Sequence, residues 1–321
     1  MKRRQILKSL SAATASAVCA PLLANDDQPL KLVVPYAAGG LTDMMSRLLT
    51  KSMGESLKRP VLVENRPGAA GLIATNLVMN QGKDGSMLML INNGFVSLPL
   101  LTQGARYDPI KDFKAVAGIC AGASMLMINA SVPATTLPEF IAWAKTVPGG
   151  INAANSGIGS SGHLATMMFA KRTGITVTHI PYKGSAETAN ALLSGQVHMQ
   201  LTATTAYLNE QVKAGKVRIL ATSGAERSAL QPDLPTISSV VPDFATEGWY
   251  GMVTNAAVDD ARVEQYGASI QKALEEPGVA EKYAAIFMEV QYRAPQAFRR
   301  QMEKSTDYWK GIIAELNLVR T

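Results

Sequence analysis

A strand, two glycines and a helix follow one another directly at residues 33–43 (VVPYAAGGLTD), and this junction constrains the fold more than any other feature of the chain. Gly39 and Gly40 let the backbone turn without a Cβ clash, and a helix is predicted to begin near Thr42. The first turn of a helix presents unpaired N–H donors and the positive end of the helix dipole. The sequence therefore predicts that backbone groups at this turn bind a ligand, and an anion is the natural occupant.

Apolar segments of strand length alternate with segments of helix length, beginning with 30–34 and 42–57. This alternation predicts an α/β fold with mostly parallel sheets. A second series of the same kind runs over 137–222, and the apolar segment 116–129 between the two series is typical of strands that pass between lobes. We therefore expect two lobes connected more than once. The predicted lobe 1 comprises residues 25–126 and 249–321, and the predicted lobe 2 comprises residues 127–248.

The first 24 residues have the pattern of an export signal. A cationic cluster at 2–8 precedes an apolar run rich in small residues at 10–23, which predicts a signal peptide over 1–24 and a periplasmic location. The run is too short for a helix of about 20 apolar residues, so no stable membrane anchor is expected. Arg3 and Arg4 fit a twin-arginine signal and a general secretory signal equally.

Much of the positive charge belongs to that signal. Without residues 1–24, Lys plus Arg falls from 31 to 27 against 25 acidic residues, so the net charge falls from +6 to +2. The sequence has no arginine-rich stripe, and nucleic acid is not an expected partner. Cleavage also leaves Cys120 as the single cysteine, which excludes an intrachain disulfide.

A second glycine-rich turn at 155–163 (NSGIGSSGH) again separates a strand from a helix. Each turn alone could be a tight strand-to-helix connection. Two of them, one in each expected lobe, fit a cleft that closes around a small anion. A third turn, Tyr182-Lys183-Gly184, follows the predicted strand 177–180 and adds a hydroxyl and a cation. Ligands of open α/β sheets lie beyond the carboxyl ends of the strands, and all three turns lie there.

Nucleotide binding and metal binding find little support. Gly157, Gly159 and Gly162 match a dinucleotide fingerprint, but no acidic residue ends the next strand at 177–180. The three histidines have no Cys or acidic partner at metal-ligand spacing, so neither a metal nor a cofactor is expected.

Serine hydrolysis would depend on Ser160 and His163, but the chain lacks a Gly-x-Ser-x-Gly elbow at this turn. Ser160 and Ser161 fit a helix-capping role, and His163 fits a packing or capping role. Asp43 would repel an anion if it faced the first turn, so we expect it to organise that turn as a first-turn cap, unless the ligand carries an amine.

Seven short segments of the chain match a known family in combination. They are 34–43 with Arg47, 63–71, 84–85, 155–163, 181–184, 195–197 and 233–236. Over essentially its whole mature length the chain resembles the Bug family, the extracytoplasmic solute receptors of tripartite tricarboxylate transporters. The resemblance implies a type II periplasmic binding-protein fold with two lobes, a hinge and a ligand cleft between the lobes. It also implies a carboxylated solute held by main-chain donors and bridging waters, and no catalysis.

Two departures from the family pattern concern the ligand. The family usually has Pro where Ala38 stands, and Asp-x-x-Phe-Asp where residues 198–202 read HMQLT. The second change removes acids from a strand whose end faces the expected cleft. A ligand ammonium would lose a partner there, so the hypothesis is a carboxylate without an amino group: a dicarboxylate, a tricarboxylate or an aromatic acid.

The expected partners are this small organic carboxylate and membrane transporter subunits, and the protein is expected to be a monomer. Two alternatives stay open: an exported α/β hydrolase using Ser160 and His163, and a sensor that passes its ligand state to a membrane signalling partner. The predicted ligand-binding residues are Tyr36, Ala37, Gly39, Gly40, Leu41, Thr42, Asp43, Asn155, Ser156, Gly157, Gly159, Ser160, Ser161, His163, Tyr182 and Thr202.

Overall fold

The computed structural model describes residues 28–318, which form two sheets flanked by helices. The predicted signal peptide lies outside these residues. The strands are β1 (Leu30–Val34), β2 (Val61–Asn65), β3 (Met87–Asn92), β4 (Phe113–Ala123), β5 (Met125–Asn129), β6 (Ile151–Asn155), β7 (Val177–Pro181), β8 (Met199–Thr202), β9 (Val217–Thr222), β10 (Glu247–Asn255) and β11 (Glu289–Arg293). The helices are α1 (Leu41–Leu57), α2 (Leu72–Gln81), α3 (Asn93–Leu101), α4 (Leu137–Thr146), α5 (Ser161–Thr173), α6 (Ser185–Leu193), α7 (Ala206–Lys213), α8 (Asp260–Leu274), α9 (Val279–Ala284) and α10 (Pro295–Glu315).

The two sheets repeat one strand arrangement. The first has the order β2-β1-β3-β10-β4-β11, and the second has the order β7-β6-β8-β5-β9. In each, three parallel strands are followed by an antiparallel strand next to a crossing between the sheets, β10 in the first and β5 in the second. We call each sheet with its packed helices a lobe. The strands before the two glycine turns, β1 and β6, occupy equivalent positions, so the turns arise at corresponding points of the two lobes.

The α/β prediction and the two-lobe prediction are confirmed, but the prediction of mostly parallel sheets is wrong. Among the described residues, four strand pairs are parallel and five are antiparallel, because β4, β5, β9, β10 and β11 pair antiparallel with their neighbours.

Local sequence explains the elements around the first turn. β1 is almost continuously buried, as expected for a parallel strand covered on both faces. In α1, the buried residues Leu41, Met45, Leu49 and Met53 recur every fourth position and form one apolar face. The helix ends at Lys58, which adopts the left-handed conformation common at helix C-termini.

A buried serine joins the two crossings between the lobes. Only Ser124 separates β4 from β5, and the segment 223–246 leads from β9 to β10. The hydroxyl of Ser223 accepts a hydrogen bond from the N–H of Ser124 at 2.9 Å and donates one to the carbonyl of Thr246 at 2.6 Å. The N–H of Thr246 returns a bond to the carbonyl of Ser223 at 2.7 Å. The two crossings therefore form one hydrogen-bonded hinge.

The predicted lobe boundaries, at residues 126 and 248, stay a prediction about which residues move together. β5 begins at Met125 and β10 begins at Glu247, both close to these positions. Across residues 28–318, no helix combines the length and the apolar character needed to cross a bilayer.

Candidate ligand-binding site

A cavity lies between the lobes, beyond the carboxyl ends of β1 and β6. Measured as the space open to the centre of a water molecule, it has a volume of about 30 Å³. Both glycine turns therefore contribute to one cavity. Its lining comes from Tyr36, Leu41, Thr42, Asn92 and Tyr250 of the first lobe and from Ser156, Ser160, Ser161, Gly162, Ser185, Thr202 and Ala203 of the second.

The carboxylate of Asp43 holds the first turn together. Its Oδ2 accepts hydrogen bonds from the N–H of Gly39 and from Nε of Arg47, both at 3.0 Å, and its Oδ1 lies 3.0 Å from Nη2 of Arg47. Burial alone would raise the pKa of Asp43, but the hydrogen bonds from Arg47 and Gly39 and the charge of Arg47 lower it below its ordinary value. Asp43 does not line the cavity, so it organises the turn from behind.

Side chains hold the second turn together in the same way. Oδ1 of Asn155 accepts a hydrogen bond from the N–H of Gly157 at 3.0 Å, and Nδ1 of His163 accepts one from the N–H of Gly159 at 3.1 Å. The amides of Gly157 and Gly159, like that of Gly39, are thus donated within the protein. The glycines shape the turns through their positive φ angles, 108° and 87° in the second turn, while other groups remain to donate to a ligand.

His163 is a buried structural acceptor. Its ring lies 4.5 Å from that of His179 in an edge-to-face arrangement. Burial, and secondarily the neighbouring His179, lower the pKa of His163 to about 4, so the ring is neutral at pH 7 and Nδ1 can accept. The hydroxyl of Ser160 accepts a hydrogen bond from the backbone N–H of His163 at 3.3 Å, as a helix cap does. The imidazole is therefore committed to the Gly159 turn.

The unused donors of the cavity belong to the first turns of α1 and α5. The opening N–H groups of any helix lack an intrahelical acceptor. Within residues 28–318, the N–H groups of Thr42 in α1, and of Ser161 and Gly162 in α5, have no hydrogen-bond acceptor, and all three residues line the cavity. Because the two helices belong to different lobes, the positive ends of two helix dipoles meet at one cavity.

Direct hydrogen bonds also link the lobes beside the cavity. The N–H of Leu41 donates to the hydroxyl of Ser185 at 2.8 Å, and the N–H of Ala37 donates to the carbonyl of Lys183 at 3.2 Å. Gly40 permits this approach, because a Cβ there would lie 2.9 Å from Oγ of Ser185. The lobes are thus in contact on both sides of the first turn.

Two tyrosines and an asparagine form the far wall of the cavity. Burial raises the pKa of Tyr36 and of Tyr250, and the side chain of Asn92 lowers the pKa of each in part. Both hydroxyls are therefore neutral at pH 7 and can donate a hydrogen bond. Asn92 and Tyr250 are register partners on the antiparallel pair of β3 and β10.

The structure separates the predicted residues into two groups. Seven line the cavity: Tyr36, Leu41, Thr42, Ser156, Ser160, Ser161 and Thr202. Nine do not and lie in or behind the turns: Ala37, Gly39, Gly40, Asp43, Asn155, Gly157, Gly159, His163 and Tyr182. Five lining residues are not among the predicted ligand-binding residues: Asn92, Gly162, Ser185, Ala203 and Tyr250. Across the described part of the chain, no group of three or more His, Cys, Asp or Glu residues could hold a metal ion.

Two lobes that share a hinge and close around a cleft of helix N-termini define a solute-binding protein of the periplasmic type. Residues 45–318 match the family described as "Tripartite tricarboxylate transporter family receptor", and the chain belongs to this family. Proteins of this class are receptors and not enzymes, so the alternative of a hydrolase using Ser160 and His163 is not favoured.

Two relatives support this membership over nearly full length. The chain is 31% identical to the UPF0065 protein in gbd 5'region of Cupriavidus necator, with 100% of this chain and 99% of the relative covered. It is 30% identical to protein BugT of Bordetella pertussis, with 93% of each covered. The predicted Bug-type extracytoplasmic receptor is thereby confirmed.

Solved structures show the same fold. The periplasmic binding protein BugD superposes with a TM-score of 0.86 at 29% identity, covering 91% of this chain and 99% of that one. R. palustris Rpa4515 with adipate has a TM-score of 0.84 at 28% identity, with 90% and 97% covered. MatC from Rhodopseudomonas palustris with bound malate has a TM-score of 0.84 at 26% identity, with 89% and 98% covered.

Proposed function

We propose that the protein captures a small organic carboxylate by closure of its two lobes and delivers it to a membrane transporter. The observation that carries this proposal is the meeting of the α1 and α5 N-termini, with unused N–H donors, at one cavity between the lobes. Helix N-termini bind anions through such donors and through the dipole. A carboxylate bridging Thr42 and Gly162 would join the lobes, so binding and closure are coupled.

The charge of the cavity supports a compact anion. None of the described residues that line it is Lys, Arg or His, so the ligand's negative charge depends on backbone N–H groups and on the neutral hydroxyls of Tyr36, Ser160 and Tyr250. Thr202 stands at the end of β8 and supplies no carboxylate for a ligand ammonium. These features favour a carboxylate without an amino group.

The comparisons support the ligand class and the transport role. Two of the similar solved structures hold adipate and malate, both carboxylates. Family membership supports membrane transporter subunits as the partner. Export through a signal peptide at residues 1–24, by the twin-arginine or the general secretory route, periplasmic location and a monomeric receptor complete the proposal.

A thermal-shift screen against organic acids tests the ligand class. A ligand at 100 times its dissociation constant should stabilise the folded state by about 2.7 kcal/mol. Each acid that binds is then compared by calorimetry with its primary amide, which has nearly the same shape and no charge. We expect the acid to bind at least about tenfold more tightly, because hydrogen bonds to a charged acceptor are roughly twice as strong. Equal affinity for acid and amide would contradict an anion site.

A further inference from the structure

A second cavity continues the ligand cavity toward the hinge. It has about 20 Å³ open to the centre of a water molecule, and it shares Asn92, Ser161, Thr202, Ala203 and Tyr250 with the first. We call it the inner compartment. Its own lining includes Ala165, Trp249, Met288 and Trp309, together with the hinge residues Ser124 and Thr246. A ligand whose carboxylate lies between α1 and α5 would extend its remaining atoms into this space.

One side of the inner compartment is apolar, while the residues it shares with the ligand cavity and the hinge residues supply polar groups. Trp249, Met288 and Trp309 are at most 2% exposed, and Ala165 adds a small apolar surface. The indole N–H of Trp249 is already donated to the hydroxyl of Ser305 at 2.8 Å, so this ring offers its faces and not a donor. Such a surface gains free energy by contact with hydrocarbon or with an aromatic ring.

Several backbone donors near the inner compartment are also committed. The N–H of Ser124 and the N–H of Thr246 both donate to Ser223, and the N–H of Trp249 donates to Oδ1 of Asn93 at 3.0 Å. The N–H of Gly94 at the start of α3 donates to the side chain of Asn92 at 2.9 Å. Of the described donors, the N–H of Ser161 stays free but lies at the N-terminus of α5, so a second carboxylate placed here would compete with the first for that donor.

No Lys, Arg or His stands among the described residues that line the inner compartment, so a second negative charge would also lack a counter-ion. Burying a charge without a partner is strongly unfavourable. One neutral polar group has a place, however. The hydroxyl of Thr246 is buried and has no hydrogen-bond partner within residues 28–318. It could pair with a single hydroxyl, carbonyl or ether oxygen of a ligand.

We propose, on the basis of the proposed function, that the ligand is a monocarboxylic acid with an uncharged aliphatic or aromatic body. The carboxylate lies at the N-termini of α1 and α5, and the body lies against Trp249, Met288 and Trp309. This narrows the class of ligand, because dicarboxylates and tricarboxylates should then bind with lower affinity than monocarboxylates of equal size.

The test is calorimetry on the full mature protein with pairs of acids that differ only by a second carboxylate. Suitable pairs are butanoate with succinate, hexanoate with adipate, and benzoate with terephthalate. We expect the monocarboxylate of at least one pair to bind at least about tenfold more tightly than its partner. Equal or tighter binding of the dicarboxylates would overturn the proposal and leave the proposed function intact. Absence of binding by every acid in both series would count against the proposed function as well.

Two variants of Met288 supply a second test. Met288→Lys brings a flexible cation to the inner compartment, and Met288→Gln is its uncharged control of similar length. Thermal unfolding of both verifies that they fold. We expect Met288→Lys to improve the affinity for dicarboxylates relative to monocarboxylates by at least about tenfold compared with Met288→Gln. If both variants fold and show the same ratio as the unmodified protein, the ligand body does not reach this compartment.

Discussion

The backbone N–H of Leu41 and the hydroxyl of Ser185 form a hydrogen bond of 2.8 Å across the cleft, between residues 144 positions apart in the chain. Leu41 is the first residue of α1, and the residue before it, Gly40, has no side chain to cap the helix. Ser185 therefore caps α1 from the opposite lobe. Opening of the cleft would break this hydrogen bond, so the capping of α1 depends on the position of the other lobe.

Replacing Ser185 by Ala should weaken ligand binding by about threefold to tenfold, because one hydrogen bond of the closed state is worth about 0.5–1.5 kcal/mol. Ser194→Ala is the matched control, since Ser194 lies at the far end of α6 and, within residues 28–318, its hydroxyl bonds only to the carbonyl of Ala191. Calorimetry with an acid identified by the screen gives both affinities. An unchanged affinity in Ser185→Ala would show that this contact contributes nothing to closure.

The Asp43 carboxylate should act on ligand binding through the turn, without touching the ligand. Asp43→Asn keeps an acceptor for the N–H of Gly39 but loses the ion pair with Arg47, whose side chain is 54% exposed, so the cost should stay below about 1 kcal/mol. Asp43→Ala also loses the acceptor and should cost about 1–3 kcal/mol in folding stability. Denaturant unfolding and calorimetry measure both effects. Tighter anion binding in Asp43→Asn would instead mean that the charge faces the ligand.

The burial of His163 predicts a loss of stability in mild acid. Its pKa is about 4 in the folded state and 6.5 as the ordinary value, so the unfolded state binds a proton more readily between these pH values. The contribution of His163 to the free energy of unfolding is therefore fully present above about pH 6.5. It decreases as the pH falls to 4, by at most about 3 kcal/mol. Burial also lowers the pKa of His179, which acts in the same direction.

His163→Asn separates this effect from other titrations, because an amide oxygen can accept from the N–H of Gly159 without titrating. The free energy of unfolding of both proteins is measured between pH 7 and pH 4. We expect the curve of the variant to be flatter. Asp43 has a lowered pKa and loses its contribution at more acidic pH, so it does not disturb this window. Parallel curves would show that His163 does not titrate in this range.

The side chain of Ser223, in the hinge, should contribute more to the free energy of unfolding than the side chain of an exposed serine. Ser223→Ala leaves the N–H of Ser124 and the carbonyl of Thr246 without their side-chain partner, which should cost about 1–3 kcal/mol. Ser131→Ala, at an exposed position, is the control and should change stability by less than about 0.5 kcal/mol. Chemical denaturation measures both. Equal losses of stability in the two variants would show that the hydrogen bonds of Ser223 do not stabilise the hinge.

Local patterns in the sequence predict the elements well, because a strand, a glycine turn and a helix are each specified by neighbouring residues. The helix predicted from Thr42 to Leu57 is α1, which begins one residue earlier, at Leu41. The pairing of Asn92 with Tyr250, by contrast, depends on β10 returning from the second lobe to lie beside β3. No local signal marks either residue as part of the site, and the same holds for Ser185.

The acceptors of the glycine amides are the part of the site chemistry that the sequence predicts least well, since the N–H groups of Gly39, Gly157 and Gly159 donate within the protein. The sequence shows that the turns contain glycine, but it does not show which acceptors their N–H groups find. Asn155 two residues before Gly157 is an available signal, since asparagine often accepts from the N–H two residues further on. The acceptor at Gly159 comes from a histidine one turn into α5, and this contact becomes visible only in three dimensions.

The most direct test is a crystal structure of the mature protein with an acid identified by the thermal-shift screen. The carboxylate is predicted between the two helices, with its oxygens about 2.7–3.2 Å from the backbone N–H of Thr42 on one side and of Ser161 or Gly162 on the other, directly or through one water. A carboxylate bound by one lobe alone, or outside the cavity between α1 and α5, would contradict the account.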